Sequence, residues 1–291
     1  MMIPIPDLHT HSTASDGTLS PGALIERAAR AGLTTLALTD HDTTAGVEEA
    51  AAAAAGRGLT LVPGVEVSVT WNARTIHVVG LKVDPVNPEL AQGLARLRAF
   101  RDWRAKEIGR RLARHGIHGA YEGARARSGG QLIGRTHFAR FLVEQRLAAD
   151  TSDVFKRFLT TGKPGHVAGD WASLEEAVSW IRTAGGQAVI AHPARYRLTR
   201  TKLLQLIGEF REHGGCGIEV VTSSHSRDEI FTFARHAREQ RLLASAGSDY
   251  HGPEQPWLML GRLPPLPDGC VPIWRDWSSC AVLDDAARAT C

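Results

Sequence analysis

Short β-prone runs alternate with helical ones along this chain, and a histidine or an acidic residue closes nearly every β-prone run. The runs cover about 3–8, 33–39, 59–68, 76–81, 187–191, 217–221 and 242–247. Helical patterns separate them. Ser20 caps one with Pro21 at its first position, and Thr44 opens an alanine-rich one closed by Gly56. Ser173 and Glu176 form a capping box for a helix to Ala184, and further helices are expected over 201–213 and 227–240. Alternation of this kind builds a mainly parallel sheet. In closed barrels of alternating strands and helices, chemistry gathers at the C-terminal strand ends.

Those expected ends carry His9, His11, His41, Glu66, His77, His192, Asp249 and His251, and Asp16 lies in the first loop. His9 and His11 sit two apart, behind Ile3, Ile5 and Leu8, so on a strand they share a face and can grip one cation. Asp16 precedes Gly17 in a turn-prone segment and can swing back as an oxygen ligand. Taken singly, a histidine after a strand is usually a hydrogen-bonded loop residue. Glu66 is harder to place as ordinary structure, because burying a carboxylate without a partner is costly. Six of the 13 histidines fall on these positions beside three acidic residues, which points jointly to a metal cluster. Imidazole and carboxylate without thiolate suit Zn, Mn, Fe or Co.

Bulk properties narrow the field. A chain of 291 residues holds one large domain, or one domain with an insertion. Its apolar (43%) and charged (22%) fractions are those of a soluble globular protein, and a net charge of +3 is too small to argue for nucleic-acid binding. No run has membrane-span length, no secretory signal is present, and no protein partner is evident, so a cytoplasmic location is expected. Cys216, Cys270, Cys280 and Cys291 are scattered without a Cys-x-x-Cys, and are expected to be free thiols.

From Asp84 the texture changes. Residues 85–166 read as a helical insertion between two barrel parts, 1–84 and 167–291, the second ending in a Pro-, Trp- and Cys-rich tail that is expected to wrap the barrel exterior. Arg96 to Arg114 alternate with Leu97, Phe100, Trp103, Ile108 and Leu112, an amphipathic helix whose cationic face is expected to be solvated rather than to track RNA. A glycine- and arginine-rich stretch follows over 119–130, and Gly134 to Arg140 opens another helix. His115, His118, His213 and His236 lie in basic contexts and are expected to be solvated. Asp42, His166, Glu219 and His225 are candidates for supporting the ligands or lining the mouth.

The motifs resemble those of the PHP (polymerase and histidinol phosphatase) family. His9-Thr10-His11 with Ser15-Asp16-Gly17 looks like its first motif, and Thr39-Asp40-His41-Asp42 like its second. Gly64-Val65-Glu66 with His77, Ala191-His192-Pro193, and Ser248-Asp249-Tyr250-His251 look like the later ones. The resemblance implies a distorted (β/α)7 barrel of α/β class and three divalent metal ions, Mn foremost. It implies one ion on His9, His11, Glu66 and Asp249, a second on Glu66, His77 and His192, and a third on Asp16, His41 and His251. Asp16, His41, Glu66, His192 and Asp249 become the expected catalytic positions. Cations so placed lower the pKa of a bound water and neutralise charge on a phosphoryl transition state.

Gly134-Arg135-Thr136-His137, Gly162-Lys163-Pro164-Gly165 and the Arg195 that follows His192 look like the branch acting on nucleoside 3′,5′-bisphosphates, some members of which also degrade short oligoribonucleotides from the 5′ end. That branch implies loss of the 3′-phosphate to leave a 5′-nucleotide. Arg135, Thr136, His137, Lys163 and Arg195 are the candidate phosphate anchors, since a second phosphate needs cations near turns or a helix start. The rivals are a histidinol-phosphate phosphatase, an amidohydrolase acting on a C–N bond, and a non-catalytic module. A complete ligand set argues against the last two.

Overall fold

Six strands form one curled sheet in chain order: β1 (Thr35–Leu38), β2 (Thr60–Trp71), β3 (Arg74–Leu81), β4 (Gln187–Ile190), β5 (Gly217–Thr222) and β6 (Leu243–Gly247). The structure, a computed structural model, describes residues 6–129, 132–254 and 260–277. The segment 7–10 lies against both edges of the sheet. Asp7 donates its N–H to Thr35 (3.1 Å) and accepts from Ala37 (2.8 Å) on β1, while Leu8 donates to Ala246 (2.9 Å) on β6. Ile3 and Ile5, which the sequence places ahead of it in the same strand, lie outside the described residues.

The sheet is less parallel than the alternation suggests. Pairs β1–β2, β4–β5 and β5–β6 are parallel, but β3 is antiparallel to both of its neighbours. Its reversal comes from a two-residue hairpin at Asn72 and Ala73, both with positive φ (47° and 59°), as a tight turn between right-twisted strands demands. The reversal corrects a second expectation. Glu66 and His77 do not end strands; both lie inside them, and Glu66 and Ser68 pair with Val79 and His77. Because β3 runs backwards, its N-terminal half reaches the same end of the sheet as the C-terminal ends of the parallel strands.

Helices α1 (Pro21–Arg30), α2 (Val47–Ala54), α3 (Pro88–Ala113), α4 (Ala120–Arg127), α5 (Arg135–Glu144), α6 (Thr151–Val154), α7 (Leu174–Thr183), α8 (Arg200–Glu212) and α9 (Arg227–Glu239) complete the described elements, with a π-helical turn at Phe155–Leu159 and a 3-10 turn at Pro193–Tyr196. The caps expected at Ser20 and at Ser173 with Glu176 are present. The glycine- and arginine-rich 119–130 stretch holds α4.

Strand periodicity sorts the core. Val65, Val67 and Val69 of β2 face a large apolar cluster shared with α7, α8 and α9. The opposite face carries Val62, then Glu66; on β3 the same face carries His77, then Val79 and Leu81. One end of the inner face is therefore apolar (Leu8, Ala37, Val62, Val79, Leu81, Val189, Ala191) and the other end polar. Ile273 of the tail joins that inner cluster, 2% exposed, tethered by its N–H to Ala244 (3.0 Å). Ile273 thus fills the apolar end, while Leu263, Leu266 and Cys270 pack against the large cluster; residues 278–291 of the tail lie outside the described residues. A separate apolar cluster joins the C-terminal half of α3 (Ala105, Ile108, Leu112) to α4, α5 and α6, whereas Leu90, Leu94 and Leu97 of the same helix pack on the sheet layer.

Candidate metal centre

At the polar end of the inner face, all nine residues expected as ligands converge. Glu66 is fully buried and is ringed by imidazoles. Its Oε1 lies 2.8 Å from His77 Nδ1 and 2.9 Å from His192 Nε2; its Oε2 lies 2.8 Å from His41 Nδ1, 3.3 Å from His11 Nε2 and 3.4 Å from His9 Nε2. His9 and His11 share a face as their spacing requires, with Nε2 atoms 3.1 Å apart. Asp249 Oδ1 stands 3.2 Å from His11 Nε2 and 3.5 Å from His9 Nε2. Asp16 Oδ1 stands 3.2 Å from His251 Nε2 and 3.8 Å from His41 Nε2.

Several ligand-type atoms here are buried without a well-formed hydrogen bond: Asp16 Oδ1, His41 Nδ1, Glu66 Oε2 and Asp249 Oδ2 make only ion-pair contacts, with His251, with each other and with Arg195, and His192 Nδ1 has no partner among the described residues. A buried polar atom left unpaired costs about 1–3 kcal/mol. Cations would satisfy those that face the cluster, and the donor chemistry fits them. Four groups have donor atoms close enough for one ion: His11, Asp16, His41 and His251; His9, Glu66 and His192; His9, His11 and Asp249; and His41, Glu66 and His77. These overlap the expected ligand sets without repeating them, mainly because His41 reaches both Asp16 and Glu66.

The electrostatics are those of a site built for positive charge. Burial pushes His11 down to about 3 and His77 down to about 4, so both are neutral, lone-pair-bearing imidazoles at neutral pH. His251 is also desolvated, yet the Asp16 and Asp249 carboxylates raise it to about 9. Asp16, Glu66 and Asp249 resist the upward push of burial and stay well below the usual carboxylate range because imidazoles, and Arg195 at Asp249, surround them.

Supporting residues fix this geometry. Asp40 accepts from the Ser12 N–H (2.8 Å), the Ser12 hydroxyl (2.6 Å) and the Ser15 hydroxyl (2.5 Å), and so shapes the first loop. Gly17 is required there, since a Cβ would sit 2.5 Å from the His11 carbonyl oxygen. Asp42 accepts from the Ser68 N–H (2.7 Å) and from Arg101 Nε (2.6 Å). His225 is buried and turns Nδ1 to the Val220 carbonyl (3.0 Å).

The candidate phosphate anchors divide. Arg135, at the start of α5, and Arg195 line a cavity of about 590 Å³ together with Arg74, Arg104, His166 and Tyr196. Arg195 also reaches Asp249 Oδ2 (2.5 Å), so this cavity adjoins the Glu66 cluster. Thr136 is turned elsewhere and donates to Asp16 Oδ2 (2.9 Å). His137 is buried, accepts the Gly134 N–H on Nδ1 (3.0 Å), and is held neutral by burial with its pKa down to about 4. It lines a smaller cavity with Ser15, Thr18 and Arg140. Lys163 is exposed in a turn and lines neither cavity.

Two expectations fail here. The α3 arginines are not all solvated: Arg101 and Arg104 are 9% and 8% exposed, stacked near the Trp171 ring. Arg104 Nε and Nη2 both donate to the Val167 carbonyl (3.1 and 2.8 Å), and burial, then Arg135 and Arg101, push its pKa down to about 9. His236 is buried rather than solvated. Cys216 and Cys270 are free thiols as expected, whereas Cys280 and Cys291 lie outside the described residues. Among the described residues, no helix is long and apolar enough to cross a membrane.

Comparison with known proteins agrees with this geometry. The PHP domain model matches residues 7–87. A protein of Chromobacterium violaceum named 3′,5′-nucleoside bisphosphate phosphatase is 51% identical, covering 93% of this chain and 95% of its own length. The Escherichia coli protein named 5′-3′ exoribonuclease Rnm is 44% identical over 93% of each chain. A solved structure from Chromobacterium violaceum, described as an amidohydrolase with bound sulfate and no metal, superposes with a TM-score of 0.89 at 49% identity, covering 94% of this chain and 96% of that one. On its motifs, its converging ligands and these relatives, the chain belongs to the PHP family.

Proposed function

We propose that this protein is a metal-dependent phosphatase that removes the 3′-phosphate of nucleoside 3′,5′-bisphosphates and leaves the 5′-nucleotide. Short oligoribonucleotides degraded from the 5′ end are a second substrate of the same site. One observation carries the reading: a cluster that attracts cations adjoins a cavity that attracts anions, and Arg195 touches both. A substrate with two phosphates matches that pairing, one phosphate at each. The named activities of the two relatives point the same way.

In this reading His9, His11, Glu66 and Asp249 hold one cation, Glu66, His77 and His192 a second, and Asp16, His41 and His251 a third, with Mn the expected metal. Bound there, divalent cations supply an acidified water and draw charge from the phosphoryl oxygens. Arg104, Arg135 and Arg195 hold the second phosphate. Burial lowers the pKa of both Arg104 and Arg135, with Arg135 and Arg101 adding to the shift of Arg104 and Arg101 to that of Arg135, so an anion held among these guanidinium groups relieves their repulsion. Anchoring the far phosphate fixes the near one in line for attack. Thr136 keeps Asp16 aimed inward from α5. We further take 1–84 and 167–291 as a distorted (β/α)7 barrel, and 85–166 as a helical cap that brings the arginines over its mouth.

The test is phosphate release from adenosine 3′,5′-bisphosphate by Mn-loaded protein, beside adenosine 5′-monophosphate and histidinol phosphate. Fast release from the bisphosphate alone is expected. Equal turnover of either monophosphate sinks the assignment. The second reading, hydrolysis of a C–N bond, has the described name of the structural neighbour in its favour. Ammonia release from amide or ring substrates without phosphate release from the bisphosphate would establish it instead.

A further inference from the structure

We propose that Glu219, which is no candidate ligand, is the positioning residue that orients two ligands at once. It sets which nitrogen of His9 faces the cluster, and it holds the backbone of His192. The proposal rests on the metal-centre reading above.

Glu219 lies on β5 among Val220 and Val221, 1% exposed, a place where an apolar side chain would pack without cost. Strand alternation brings it there: Ile218 and Val220 on either side face the large apolar cluster, so Glu219, paired in register with Ser245, faces the inner side. The register shifts only after it, where Val220 is the extra residue of a bulge. Gly247 on β6 leaves the room, since a Cβ there would stand 2.3 Å from the His9 Cβ and 3.1 Å from Glu219 Oε1.

Both carboxylate oxygens are engaged by N–H donors. Oε1 is 2.7 Å from His9 Nδ1, and Oε2 accepts the backbone N–H of His192 at 2.5 Å. A carboxylate only accepts, so the His9 proton sits on Nδ1 and the lone pair on Nε2. Nε2 is the atom that faces His11, Glu66 and Asp249. His192 has φ +24° and ψ 59°, outside the regions a non-glycine residue adopts freely, and Pro193 follows it. The N–H bond to Glu219 and the Tyr196 hydroxyl, which donates to the Ala191 carbonyl (2.7 Å), hold that bend and carry His192 Nε2 to Glu66. Glutamine cannot replace both contacts. If its oxygen accepts from His9, its amide faces the His192 N–H, donor against donor. If it flips, the amide meets Nδ1 and forces the other tautomer.

The experiment is cobalt binding to the full chain and to Glu219→Gln, followed by calorimetry and by the visible absorption bands of the bound ion. The expected result is a variant with unchanged circular dichroism that binds its tightest cobalt about tenfold or more weakly, with altered bands. A folded variant with wild-type affinity and bands overturns the role of Glu219 while leaving the metal centre intact. A wild-type protein that binds no cobalt overturns the metal reading and this proposal with it. Should the variant not fold, long-range proton–nitrogen spectra of the zinc-loaded wild type decide. Protonation of His9 on Nδ1 supports the proposal, and protonation on Nε2 overturns it.

Discussion

Two neighbouring regions of this molecule collect charge by different means. The Glu66 cluster is assembled from strand ends and strand interiors spread over nearly the whole chain, and its members answer one another: imidazole against carboxylate, within hydrogen-bond distance. The cavity beside it is lined by like charges, Arg74, Arg104, Arg135 and Arg195, with no carboxylate among the described lining residues. The first region is near electrostatic balance and wants ions to finish its coordination. The second is out of balance and wants an anion. A protein accepts such a repulsive arrangement where a ligand relieves it.

Substitutions on the two sides should therefore fail differently. The largest effect is expected on the cluster. Glu66→Gln removes the carboxylate shared by five imidazoles, and kcat should fall by about a thousandfold or more in a phosphate-release assay. Comparable kcat in the variant would break the contrast altogether. Next comes the cavity. Arg104→Ala or Arg135→Ala should raise KM for the bisphosphate by roughly 10- to 100-fold, the worth of a charge-assisted hydrogen bond, with kcat little changed. Turnover of a simple aryl phosphate, which has no second phosphate to anchor, should be unaffected. Removing metal with a chelator should lower the thermal midpoint by several degrees, since ions at about 100 times their Kd stabilise the folded state by about 2.7 kcal/mol. Lys163→Ala should change neither constant by more than about twofold, because this side chain is exposed and does not line the cavity.

The smallest expected effect lies outside both regions. His236 is buried, its Nδ1 has no partner, and its pKa is lowered by burial and then by Arg235. The folded state therefore binds its proton less readily than the unfolded chain, and stability is lost as pH falls through the unfolded value near 6.5. His236→Leu should flatten that loss in melts between pH 7.5 and 5.5. An equal slope in both proteins would assign the acid sensitivity elsewhere.

The same contrast governs what could be read from the sequence. Ligands on strands are legible because the period is short: His9 and His11 must share a face, and an acidic residue inside the apolar run 61–69 needs a partner. The direction of β3 was not legible, since it depends on the Asn72-Ala73 turn, which lacks the glycine that usually marks such hairpins. The buried arginines carry a signal that charge alone obscures. Leu97, Arg101, Arg104 and Ile108 step by four, three and four, so both arginines ride the apolar stripe of α3 and go inside with it. His236 stands three residues after Phe233 in the same way. The inward turn of Ile273 has no periodic signal, because it depends on which gap the sheet leaves.

The segment 7–10 has a consequence for synthesis. It hydrogen-bonds β1, made soon after it, and β6, made almost a full chain later. A ribosome releases the chain from its N-terminus, so His9 and His11 emerge long before β6, Asp249 and His251 exist to meet them. Until then the side of the segment that meets β6 is open to water or to a wrong strand. The metal pocket is thus completed late in synthesis, and ions available to the nascent chain find six of the nine candidate ligands long before Asp249 and His251 are made.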